Sequence, residues 1–180
     1  ATMVMRAEAV SRGGSAKYQA AGTAFERSPA PQVTTDLQDG FPVFASDDLT
    51  IAFPQETERF EVIPGPGERV VNYAIMPTEG FDVLGHVELL IKDGKPTSLL
   101  DIEVAPAGRR AGVGRKTIAT LLAANPTDDI NISNIVHAAR GFWERMGVPA
   151  QNLEDGAAYD GTLNWQTFSQ AANDAGANRL

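Results

Sequence analysis

The stretch Leu99 to Ala124 constrains this chain more than any other, because it writes a strand, a glycine-rich turn and a helix in immediate succession. Leu100, Ile102 and Val104 alternate with Leu99, Asp101 and Glu103, the two-residue period of a strand whose faces meet different surroundings. Pro106 ends the ladder, since it has no N–H to donate. Arg109, Gly112 and Gly114 then stand in Arg-Arg-Ala-Gly-Val-Gly, ahead of a helical run carrying Ile118, Leu121 and Leu122. A helix that begins in such a turn leaves its first backbone N–H groups without intrahelical partners. With Arg109, Arg110, Arg115 and Lys116 close by, that end suits an anion, above all a phosphate or pyrophosphate. A tight turn that only caps a helix would use the same glycines, and Arg115 and Lys116 could equally be a solvated helix face.

The rest of the chain supplies a sheet for that unit to join. Leu49 to Phe53, Arg59 to Ile63 and Val70 to Met76 read as short strands closed by Pro54, Pro64 and Pro77. Phe81 to Ile91 reads as the longest strand, with Val83, Val87, Leu89 and Ile91 on one face and His86 and Glu88 on the other. Asp93-Gly94 follows, a two-residue hairpin signal that ties this strand antiparallel to the one beginning near Leu99. The helix after Gly114 is expected to end at Asn125-Pro126. Asp129 to Ile132 reads as another strand, with Ser133 as the N-cap of a helix whose one face holds Ile135, Val136, Ala139, Phe142, Trp143 and Met146. Gly147 and Pro149 stop that helix. The fold class expected is α/β, a mixed and largely antiparallel central sheet with helices packed on it.

Three segments follow from this reading: a flexible or surface-draped arm over 1–47, a core over 48–150, and a polar tail over 151–180. In the tail, Asp160-Gly161 reads as a turn, and Trp165, Phe168 and Ala172 suit one face of a short helix. The arm is rich in Ala, Ser and Thr and starts without methionine, as expected either of ordinary Met removal before a small residue or of excision from a longer polypeptide, the linker-like composition favouring the second.

Composition removes several function classes. No cysteine is present, which excludes thiol nucleophiles and thiolate metal sites, and two histidines are a thin basis for a zinc site, so no metal is expected. No run of about 18 apolar residues exists to span a membrane. The net charge of -8 and pI near 4.7 argue against general nucleic-acid binding and favour a cationic or amine-bearing partner. A cytoplasmic location fits all of this.

Arg109 to Gly114 matches Arg/Gln-x-x-Gly-x-Gly/Ala and so resembles the acyl-CoA pyrophosphate motif of the GNAT superfamily of N-acyltransferases. The preceding strand, the following helix and Ala139-Arg140-Gly141-Phe142-Trp143-Glu144-Arg145-Met146-Gly147-Val148 extend the likeness, which covers roughly residues 68 to 148. The resemblance implies a GNAT-like fold in which the strands ending at Val104 and at Ile132 splay apart. Acetyl-CoA is the implied co-substrate, and a primary amine on a protein or small molecule the implied acceptor. It assigns cofactor binding to Val104, Arg109, Arg110, Ala111, Gly112, Val113, Gly114, Arg115 and Trp143. Glu103 and Asp101 are the implied bases, with His86 and Glu88 in reserve. Acids on an outer strand face commonly do no more than meet water, and Asn134 near the second helix could cap it or contact the cofactor. The chain departs from the family at Trp143, which stands where a tyrosine acid is usual, and lacks the two helices expected before Val70. The competing expectation is therefore a non-catalytic, GNAT-like CoA-binding or protein-interaction module.

Overall fold

A computed structural model describes residues 29–151 and 156–177. Eight strands form one sheet in chain order: β1 (Thr34–Gln38), β2 (Phe41–Ala45), β3 (Leu49–Glu56), β4 (Glu68–Pro77), β5 (Gly85–Lys92), β6 (Lys95–Val104), β7 (Ile130–Ile135) and β8 (Tyr159–Leu163). Neighbours are antiparallel except β6 and β7, which run parallel. Four α-helices, α1 (Pro106–Arg110), α2 (Val113–Ala124), α3 (Arg140–Met146) and α4 (Trp165–Ala177), and a 3-10 turn at His137–Ala139 complete the described fold. The molecule is thus a mixed α/β protein with an open, mostly antiparallel sheet.

Alternation along the strands builds a single core. Ile51, Tyr73, Ile75, Val87, Leu89 and Leu99 join Ile118, Leu121 and Leu122 of α2, Trp143 and Met146 of α3, and Phe168 of α4 in one buried cluster. The opposite sheet face leaves His86, Asp101 and Glu103 exposed. The parallel step requires α2 as a crossover, whereas the antiparallel steps need only turns. At the Asp93-Gly94 turn both residues have positive φ, 50° and 80°, as a tight two-residue hairpin demands.

Several boundaries differ from the sequence reading. Residues 34–45, expected within the draped arm, form β1 and β2, with Phe44 buried against the core; the arm's residues 1–28 lie outside those described. Asp39-Gly40 turns between these strands, both at positive φ; β1 is polar and exposed, and β2 is an apolar run too short to show a period. The strand expected at Arg59 to Ile63 is a turn closed by one Arg59–Val62 bridge, because Pro64 to Gly67 denies it a longer partner. Pro54 does not end β3; a bulge between Ala52 and Gln55, with Phe53 at φ 54°, carries the strand past it. The strand expected from Phe81 begins at Gly85, leaving Phe81 and Val83 exposed.

Ser133 is no helix cap. It lies inside β7, which runs on to Ile135, and the helix expected after it begins only at Arg140. In the tail, the helix on Trp165 and Phe168 is present as α4, while Asp160-Gly161, read as a turn, sits in β8. Residues 152–155 and 178–180 of that segment lie outside those described.

Candidate functional site

The site arises where the one parallel pair of strands among the described residues comes apart. β6 and β7 share the register pairs Ser98–Asn131 and Leu99–Ile132, and beyond them β6 continues to Val104 and β7 to Ile135 without pairing to each other. Ala105 N donates to Leu84 O at 2.8 Å on the β5 side. Main-chain groups alternate along a strand, so those of Ile102 and Val104 face the other way, into the gap. A cleft of about 1010 Å³ fills the gap. Leu100 to Val104 form one wall, Ile132 to Val136 the other, and Gly112, Gly114, Arg115, Phe142 and Trp143 close it on the helix side.

The glycine turn is tighter than a loop. Pro106–Arg110 is already helical, and Arg109 Nε donates to Val104 O at 2.9 Å, tying the turn back to the strand. Ala111 N donates to Gly108 O at 3.1 Å and Gly112 N to Arg109 O at 3.4 Å. The amides of Arg110 to Gly112, expected to face a pyrophosphate, are therefore largely committed to the turn. Those of Val113, Gly114 and Arg115 are free of the helix ladder, because the first α2 bond is Lys116 N to Gly112 O at 3.0 Å. No acidic residue stands in this first turn.

The two glycines serve different ends. Gly112 caps α2 at φ 73°, a left-handed conformation that side chains resist, and a Cβ there would meet nothing within 4 Å, so the space before the helix is open. At Gly114 a Cβ would come 3.3 Å from Phe142 Cε1, so this glycine lets α3 approach α2.

Of the cofactor-side residues expected from sequence, Val104, Arg109, Gly112, Gly114, Arg115 and Trp143 line the cleft. Val113 does not; it is buried in the core. Ala111 is exposed in the turn, and the Arg110 side chain is outside those described. The Arg115 guanidinium lies over the Phe168 ring, 5.0 Å from its centroid, which holds the charge at the cleft. Trp143 is 5% exposed and meets Phe142 edge-on at 4.9 Å, so it packs as a core residue while forming the cleft floor.

Asp101 and Glu103 also line the cleft, on the sheet face away from the helices. Across β5 they sit opposite Glu88 and His86. Glu88 is buried beneath Arg59, whose Nη1 donates to Glu88 Oε1 while Nε meets Glu61 at 3.3 Å. The Glu88 hydrogen bond raises the Arg59 guanidinium further above its usual range, against the lowering effect of burial. Sequence reading missed Arg59 in this role, since it comes from a proline- and glycine-rich loop 29 residues away from Glu88. Ser133, read as a helix N-cap, and Asn134, read as a cap or a cofactor contact, both stand in β7 and form cleft wall, Asn134 at φ 55°.

The cleft thus brings the α2 amides, Arg109 and Arg115 together with the strand carboxylates of Asp101 and Glu103, and Arg59, Glu144, Arg145 and Asp174 also line it. Among the described residues no tyrosine lines it, no helix is long and apolar enough to cross a membrane, and no group of metal-ligating side chains gathers. Comparisons with family models, curated proteins and solved structures gave no match.

Proposed function

We propose that this chain is a GNAT-like N-acyltransferase that moves an acetyl group from acetyl-CoA to a primary amine on a protein or small molecule. One observation carries the reading: the parallel strands β6 and β7 part after two register pairs and open a cleft beside the α2 N-terminus. The α2 first-turn amides, with Arg109, Arg110 and Arg115, would hold the pyrophosphate. The inward N–H groups of Ile102 and Val104 would receive the thioester carbonyl and steady the negative charge that develops on its oxygen. Glu103 or Asp101, through a water, would take a proton from the ammonium so that the neutral nitrogen forms the new amide bond. The carbon–sulfur bond then breaks and the departing thiolate takes its proton from solvent, as no phenol lines the cleft among the described residues.

Acetyl-CoA should raise the melting temperature; a folded sample that shows no shift at millimolar acetyl-CoA would exclude the reading. Thiol release that requires an added amine distinguishes transfer from simple binding. The buried indole of Trp143, with no tyrosine in the cleft, favours a second reading as a CoA-binding module without transfer. Under that reading acetyl-CoA still stabilises the protein, and no amine pool releases thiol.

A further inference from the structure

The β7 wall of the cleft owes its shape to a contact from outside the cleft. Along β7, Ile132 pairs with Gly161 and Ile135 with Tyr159, so three steps on β7 oppose two on β8. One extra residue is inserted on β7, a bulge that shifts the alternation by one position. Ile132 and Ile135 are consequently both buried, at 2% exposure each, while Asn134 turns outward. The bulge lies at the level where β7 leaves β6, and its residues Ser133 and Asn134 form cleft wall. Asn134 has φ 55°, in the left-handed region that most residues with a side chain resist. Its amide donates to Asp160 Oδ1 at 2.8 Å.

We propose that Asp160 is a positioning residue that clamps the β7 bulge through the Asn134 amide and so keeps the wall of the cleft parted from β6. The inference rests on the acyl-CoA reading only for its consequence, which is tighter donor binding. A carboxylate on β8 accepts the N–H that the bulge removes from the ladder, and the left-handed turn at Asn134 is held open. Without it the bulge can slip, which would bring Ile135 out of the core and the wall across the gap.

The test compares Asp160→Ala, Asp160→Asn, Asn134→Gly and the Asn134→Gly/Asp160→Ala pair in the full chain, by calorimetric binding of acetyl-CoA and by hydrogen exchange at residue 134. Asp160→Ala is expected to weaken acetyl-CoA binding about tenfold and speed exchange at Asn134 by at least as much. Asp160→Asn keeps an acceptor oxygen and should stay within about threefold of the parent. Glycine accepts positive φ unaided, so Asp160→Ala should cost less in the Asn134→Gly background, a coupling that a merely stabilising aspartate would not show. Parent-like binding and exchange in Asp160→Ala, equal losses in Asp160→Asn and Asp160→Ala, or equal losses in both backgrounds would overturn the clamp. If the parent itself binds no acetyl-CoA, the proposed function falls and exchange alone decides: unchanged exchange in Asp160→Ala overturns the clamp, and faster exchange upholds it.

Discussion

Gly112 and Gly114 stand two residues apart and resist substitution for different reasons. Alanine at 112 must adopt φ 73° but meets open space, so Gly112→Ala should cost about 1 kcal/mol, read by denaturant unfolding, and put a methyl group before the helix amides. Alanine at 114 keeps helical geometry and presses on Phe142 at 3.3 Å, so its penalty depends on how far α3 can yield. Glu103 and Asp101 share the exposed sheet face, and under the proposed acyltransferase reading either would accept the proton. Glu103→Gln should therefore lower kcat with an amine roughly a hundredfold, and Glu103→Gln/Asp101→Asn further, with the melting temperature retained. Tyr73 is fully buried and its hydroxyl finds no partner among the described residues. Burial pushes that hydroxyl well above the ordinary tyrosine value of about 10. A folded-state pKa raised in this way contributes stability that is present below the unfolded value and is lost as pH rises past it. The melting temperature should fall above about pH 10, less steeply in Tyr73→Phe, which should match or exceed the parent's stability at neutral pH.

Elements that were legible from sequence are those whose signal is local. The alternation in β6, the hairpin at Asp93-Gly94, the glycine start of α2 and its end at Asn125 are each written within a few residues of where they act. β1 and β8 were missed because short strands of mixed polarity owe their state to neighbours rather than to their own period, whereas β2, apolar throughout, and the Asp39-Gly40 turn before it carried a local hairpin signal that went unread. The segment 34–45 makes the point: what reads as a draped arm carries Phe44, 1% exposed, into contact with the core. Phe44→Ala should destabilise the fold by about 3–5 kcal/mol, measured by chemical unfolding, where a draped arm would change nothing. The helix face around Ile135 was misplaced for a related reason. Ile135 and Trp143 enter one core from different elements, a bulged strand and a helix, and a spacing of apolar residues cannot tell one helix from two elements that converge.

At the scale of the molecule, charges of both signs line the cleft of a chain that carries -8 overall. Arg109 and Arg115 stand where α2 meets it, Asp101 and Glu103 where it reaches the open face, and Arg59, Arg145, Glu144 and Asp174 line it as well. Donor binding that uses the arginine end should weaken with ionic strength, and a pantetheine thioester without phosphates should stabilise the protein less than acetyl-CoA does. At a ligand concentration of 100 times Kd, acetyl-CoA should add about 2.7 kcal/mol, a rise of roughly 5 to 10 °C in a scanning experiment.

The sequence by itself determined the α/β class, the strand-turn-helix around Gly112 and the residues that carry charge to it, because period, turn chemistry and missing side chains act over short distances. Tertiary structure alone decided that β6 and β7 part after Leu99, that Arg59 crosses to Glu88, and that Asp160 reaches the bulge at Asn134. Each of those depends on two segments 26 or more residues apart meeting in one register. Register is set by the whole sheet and its core, so although the Arg109 to Gly114 motif implied by resemblance that these strands splay, no local pattern said where their pairing stops or which distant side chains meet the cleft wall.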